Sequence, residues 1–232
     1  MINPEKLSSF IGEKLCHDKV VNSAVFNVLR TLKGTNTGDS YYENYLWHFN
    51  KRGDSFVDYY HLLWQIGANI PIKRILEIGS RTGISIAQLL ASMVSFDGLK
   101  VVLCDIFGDG FISPALIQMN LKRLNIPADV IKNIEFLVGD SLVKIPEYKE
   151  NNPDQLFDYI LVDGNHDKEV AMQDLENVVD MLDTGGILMF DDIAPDGCNL
   201  GDVWHTFGQA HFSRFYFHEN YEGKGIGVGI RK

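Results

Sequence analysis

From residue 71 onward, short apolar runs alternate with longer segments in which apolar side chains recur at every third or fourth position. The short runs predict strands at 74–79, 100–105, 134–138, 157–162 and 187–190, each ending in or followed by glycine or aspartate. The longer segments predict helices at 83–95, where Ile84, Ile86, Leu89, Leu90, Met93 and Val94 share the helical period, at 113–125 and at 199–210. Ser113-Pro114 reads as a helix start, because serine can cap the first turn and proline is preset for its first position. Another helix follows His166, with Val170, Ala171, Leu175, Val178, Val179 and Leu182 on one face. Residues 141–152 read as a short helix or loop, and Thr184-Gly185-Gly186 as a turn into the fifth strand. Phe212–Phe217 and Ile226–Ile230 read as two strands joined through residues 219–223, a hairpin that makes this end of the sheet antiparallel. The alternation of strand and helix predicts an open, mainly parallel α/β sheet whose ligands lie at the carboxyl ends of its strands.

Residues 1–70 lack that alternation and divide from the 71–232 domain as a helical extension. Phe10, Ile11, Leu15, Val20, Val21, Val25, Val28 and Leu29 can line helices, broken by a loop near residues 33–39. A dense aromatic segment follows: Tyr41, Tyr42, Tyr45, Trp47, Phe49, Phe56, Tyr59, Tyr60 and Trp64. It can pack the extension against the sheet or a second copy of the chain, giving a homo-oligomer, or it can cover a pocket as a lid.

Composition narrows the partners. The 232 residues are 45% hydrophobic, as for a globular chain, and the net charge of -10 argues against a nucleic-acid-binding role. Cys16, Cys104 and Cys198 are widely spaced, without disulfide density or zinc-like spacing, and suggest reduced thiols in a cytoplasmic protein. The polar N-terminus and the absence of a long apolar run argue against secretion and a membrane partner. A small molecule is the expected partner.

The candidate chemistry sits at the strand ends. Gly79 and Gly83 punctuate the first strand-helix turn, but Arg81 stands where a dinucleotide fingerprint would have its middle glycine. Asp105 closes the second strand, where an acid can accept the hydroxyls of a ribose or simply cap the next loop. Asp140, Asp163, Asp191 and Asp192 add further acids on the same rim. Asp163, Asp191 and Asp192 together would repel one another unless a divalent cation offsets the charge, and an all-oxygen set suits magnesium, calcium or manganese better than zinc. Each acid alone could instead fix a turn. His166 can act as a general base toward a substrate hydroxyl, cap the helix or orient Asp163, and Lys168 is a second candidate base.

With these residues in view, the chain resembles the class I S-adenosylmethionine-dependent methyltransferases, in particular the metal-dependent small-molecule O-methyltransferases of the macrocin and novobiocin type. The resemblance covers about residues 70–232 and rests on Leu-Glu-Ile-Gly-Ser-Arg-Thr-Gly at 76–83, Val-Asp-Gly-Asn-His at 162–166 and Ile-Leu-Met-Phe-Asp-Asp at 187–192. It implies a Rossmann-like sandwich with a mainly parallel seven-stranded sheet, a C-terminal antiparallel hairpin and the helical extension ahead of it. It further implies that Glu77, Gly79, Ser80 and Gly83 surround the methionine part of S-adenosyl-L-methionine, that Asp105 holds the ribose, and that Asp140 and Ser141 lie near the adenine. Asp163, Asp191 and Asp192 would ligate Mg2+, and Asp163 and His166 would serve methyl transfer to a sugar or phenolic hydroxyl. The chain departs from the pattern at Asn165, where relatives often carry an acid proposed as the base. An amide cannot take that proton, so the role would pass to His166 or another group, or the activity would be lost.

Overall fold

The structure is a computed structural model, and it describes residues 19–33, 38–52, 59–108, 112–212, 215–221 and 224–231. Phe10, Ile11, Leu15, Cys16, Phe56 and most of the expected 33–39 loop lie outside the described residues, as does the side chain of Tyr41. Three helices come first: α1 (Lys19–Leu32), α2 (Gly38–Arg52) and α3 (Tyr59–Asn69). The alternating part follows as β1 (Arg74–Ile78), α4 (Ile84–Ser92), β2 (Lys100–Asp105), α5 (Pro114–Arg123), α6 (Ala128–Lys132), β3 (Glu135–Val138) and α7 (Ser141–Asn151). It continues with β4 (Phe157–Val162), α8 (Lys168–Val179), β5 (Leu182–Phe190), α9 (Gly201–His211), β6 (Phe215–Tyr221) and β7 (Lys224–Ile230).

The seven strands form one sheet in the order β3-β2-β1-β4-β5-β7-β6. The first five are parallel, whereas β7 runs antiparallel to both β5 and β6, as the expected hairpin requires. The order reverses between β1 and β4, the place where an open α/β sheet leaves a crevice. Register then decides which residues meet there: Ile78 lies beside both Cys104 and Val162, and Val162 lies beside Phe190. Gly79, Asp105, Asp163 and Asp191, each at or just past one of these positions, therefore emerge on one rim.

Alternation along the strands builds a three-layer molecule. Ile75, Leu103, Tyr159, Leu161, Ile187 and Met189 face one apolar cluster with the helices α1 to α6. Leu76, Val102, Ile160, Val162, Leu188 and Phe190 face the other, under α7, α8 and α9. The described aromatic residues of the extension join the first layer: Tyr45, Tyr59 and Tyr60 are buried, and Tyr45 stacks on Phe49 and on His61, with its hydroxyl 3.1 Å from His61 Nε2.

Several boundaries differ from the pattern-based expectation. Helix α4 stops at Ser92 and leaves Val94 exposed. Residues 141–151 make a full helix, with Asp140 accepting from the Leu142 N–H at 3.0 Å as its cap. Leu182 belongs to β5 and not to the preceding helix; the strand begins there, and Thr184-Gly185-Gly186 form an irregular stretch within it where the pairing with β4 shifts register. The final helix starts at Gly201, and the hairpin strands extend to Tyr221 and from Lys224.

Candidate active site

The turn after β1 is built by close approach. Gly79 has φ +83°, and a Cβ there would lie 1.7 Å from the Asp163 carbonyl oxygen, so only glycine lets the ends of β1 and β4 meet. Hydrogen bonds fix the contact: the Gly79 N–H donates to the Cys104 carbonyl and the Asp163 N–H to the Ile78 carbonyl, both at 2.9 Å. Gly83 opens α4 with φ +73°, against Ile117 of α5. From α5, Asn120 Nδ2 donates to the Thr82 carbonyl at 3.0 Å and holds the turn from behind.

A cavity of about 360 Å³ opens above this turn, a size typical of small-molecule sites. Gly79, Asp105, Asp140, Ser141 and Asp163 line it, together with Arg81. Asp105 Oδ2 accepts the Arg81 N–H at 2.7 Å and Oδ1 accepts the Phe107 N–H at 3.0 Å. Each oxygen has taken one donor, which orients the carboxylate and leaves lone pairs for a ligand. Glu77, Ser80 and Gly83 lie outside the lining. Glu77 is buried in β1, accepts a short hydrogen bond from Ser85 Oγ, and burial pushes its carboxyl up to about 7, partly offset by that bond and reinforced by Asp105. Ser80 is buried with its hydroxyl unpartnered among the described residues.

Beside the cavity the rim turns acidic. One oxygen each from Asp163, Asp191 and Asp192 lies within 4.8 Å of the others, with Asp191 and Asp192 buried. Asp192 adopts φ +62°, and its carbonyl accepts the Leu200 N–H at 3.1 Å, so the chain leaving β5 loops back on itself. His166 Nε2 lies 2.9 Å from Asp192 Oδ2 while more than half of the imidazole is exposed. Its partner is thus Asp192, and the helix cap it might have supplied comes from Asp167, which accepts the N–H groups of Glu169 and Val170. Asn165 Oδ1 accepts the Asp167 N–H at 2.8 Å and is spent on the turn. Lys168, the second candidate base, is paired with Asp202 at 2.8 Å. Trp204 is fully buried against Phe190, Phe207 and Phe212 and packs the core.

The pattern-based reading passed over Asp174. It is fully buried in α8, and its Oδ2 would lie 3.2 Å from a Cβ added to Gly164, directly behind the cavity wall. Neither oxygen has a hydrogen bond of good geometry among the described residues. Burial pushes its carboxyl up to about 6, with the nearby Ser141 hydroxyl drawing it partly back. The signal was present: Asp174 sits four residues after Val170 and three after Ala171, a polar residue on the apolar face.

The sheet order, the glycine turn at the switch point and an acid closing β2 agree with the fold expected from the resemblance to methyltransferases. Residues 76–193 match the family model described as a methyltransferase domain, half of the chain, and the chain belongs to that family. No curated protein matches the sequence. Among solved structures, an O-methyltransferase from Bacillus cereus in complex with SAH is 18% identical, with 98% of this chain and 96% of that chain covered and a TM-score of 0.57. The O-methyltransferase TomG from Streptomyces achromogenes, involved in tomaymycin synthesis and solved with SAM, is 17% identical over 97% and 93%, TM-score 0.58. CalS11, a TDP-rhamnose 3'-O-methyltransferase of calicheamicin biosynthesis, is 16% identical over 92% and 95%, TM-score 0.57.

Proposed function

We propose that this methyltransferase moves a methyl group from S-adenosylmethionine to a hydroxyl oxygen of a small molecule, with a divalent cation such as Mg2+ at the acidic rim. The observation that carries the reading is the adjacency of two unlike halves. A nucleoside-sized cavity bounded by Asp105 and Asp140 shares Asp163 with a cluster of three carboxylates. That the solved proteins of similar fold include O-methyltransferases holding SAM or SAH supports the same assignment.

The residues fit the groups in question. Asp105 presents a carboxylate already oriented by two backbone N–H groups, suited to a pair of ribose hydroxyls, and Asp140 and Ser141 stand at the far end for the base. Gly79 keeps the floor of the cavity free of side chain where a bulky sulfonium would pass. The cofactor supplies an electrophilic methyl group; the cation, held by Asp163, Asp191 and Asp192, supplies a positive charge that favours the deprotonated acceptor oxygen. His166, exposed on the rim and hydrogen-bonded to Asp192, receives the acceptor proton, because Asn165 cannot and Lys168 is paired away. A sugar diol or a catechol suits the arrangement, since two adjacent oxygens can engage one cation.

Calorimetry tests the cofactor half. Asp105→Ala should weaken S-adenosylmethionine binding by about tenfold or more, a charge-assisted hydrogen bond's worth, and by more than Asp192→Ala does. Absence of binding to either S-adenosylmethionine or its demethylated product would overturn the reading. The commitment of Asn165 to the turn favours one alternative, a cofactor-binding protein without transfer activity. Failure of the wild-type protein to bind Mg2+ would support it.

A further inference from the structure

The β5–α9 loop carries a feature that the methyl-transfer reading does not use. After Asp192 the chain makes a tight return: the Gly197 and Asn199 N–H groups donate to the Ala194 carbonyl at 3.2 and 3.1 Å, and the Leu200 N–H donates to the Asp192 carbonyl. Asn199, like Asp192, takes a left-handed backbone conformation to close the loop. The result brings Cys198, a half-buried thiol in no disulfide, back beside the residue from which the loop departed. One ligand atom each of His166, Asp192 and Cys198 then lies within 4.8 Å of the other two.

Imidazole nitrogen, carboxylate oxygen and thiolate sulfur form a donor set of a different kind from the neighbouring triad. Three carboxylates select a hard cation, whereas a nitrogen and a sulfur favour borderline transition metals such as zinc or cobalt, which accept three protein donors with a fourth position left for water. The two sets share Asp192 and nothing else. Their separation follows from the fold: Asp163 and Asp191 come from the ends of adjacent strands, and Cys198 comes from the returning loop.

The geometry points to a second cation site, built from His166, Asp192 and Cys198, that takes a divalent transition metal and overlaps the hard-cation site through Asp192. Binding forms a bond from sulfur to the metal as the thiol proton leaves to solvent, with no change of oxidation state. It also occupies His166 and draws on Asp192, so a transition metal there displaces the imidazole from proton transfer. Resting on the methyl-transfer reading above, such occupancy would compete with the role given there to His166.

The test uses the full-length protein and cobalt(II) alone, read by absorption, and so stands apart from cofactor binding and methyl transfer. Wild-type protein should develop a near-ultraviolet thiolate-to-cobalt charge-transfer band with about one equivalent of metal. Cys198→Ser, nearly isosteric, should abolish the band while keeping the wild-type circular dichroism spectrum. His166→Gln should weaken cobalt binding by at least the roughly 10-fold that loss of even an outer partner costs. Asp163→Asn should keep the band. No band in the wild type, a band that survives Cys198→Ser, or one that disappears equally in Asp163→Asn would each overturn the proposal.

Discussion

At the amino ends of β1, β4 and β5, Asp158 and Asp183 converge on Arg74, whereas at the carboxyl ends of β4 and β5 Asp163, Asp191 and Asp192 converge on one another. The first group is complete in itself. Arg74 Nη2 lies 2.5 Å from Asp158 and 2.6 Å from Asp183, and Asp158 Oδ2 also accepts the Lys73 and Arg74 N–H groups at 2.9 Å. The second group stacks like charge, with one imidazole at its edge. The same residue type thus serves stability at one end of the sheet and gathers three carboxylates at the other, an arrangement suited to a cation.

The two ends should respond to pH with opposite sign, and this is the largest expected effect. On the rim side, burial raises Glu77 from 4.5 to about 7, so the folded protein holds a proton that the unfolded chain has released. Its stability is full below the unfolded value and is lost as pH rises through that window, by up to about 3 kcal/mol. At the other end, Arg74 lowers Asp183, so that contribution is present above the ordinary carboxylate value and is lost as pH falls through the lowered one. Urea denaturation of the ligand-free protein should show stability declining from pH 4.5 towards 7, and Glu77→Gln should flatten that decline. Stability that rises across the interval in the wild type would erase the contrast.

A pair of substitutions sharpens it with a smaller effect. Arg74→Met strands two partly buried acids and should cost about 1–2 kcal/mol near neutrality, the exposure of the group keeping the figure modest. Asp191→Asn, measured with chelator present, should cost nothing or stabilise by up to about 1 kcal/mol, while Mg2+ binding is lost when chelator is removed and Mg2+ added. If Asp191→Asn proves the more damaging to the fold, the rim is structural. The smallest effect belongs to Lys168→Gln. Its pair with Asp202 is exposed on both sides, so urea unfolding should shift by less than about 0.5 kcal/mol.

Much of this was readable in advance because it depends on local period. Strands β1, β2 and β4 were legible from runs such as Val101-Val102-Leu103 that are buried on both faces, and the rim followed from where those runs stop. What escaped detection lacked a period long enough to register. Helix α6 has five residues, and α7, open between a short helix and a loop in the sequence, carries Pro146 in its interior, where it weakens the helical signal. The start of β5 hid inside Leu182-Asp-Thr-Gly-Gly, a composition that reads as a turn. Residues joined only by the fold, such as Cys198 beside Asp192 or Asp158 beside Arg74, have no signature in the linear chain.

Gly79 has one more implication. Because its missing Cβ lets the backbone after β1 touch the carbonyl of Asp163, the floor of the cavity and the first of the three clustered acids are separated by a single peptide contact. The distance between the cavity and the acid cluster is therefore set by main chain, so a change of side chain elsewhere on the rim leaves it in place.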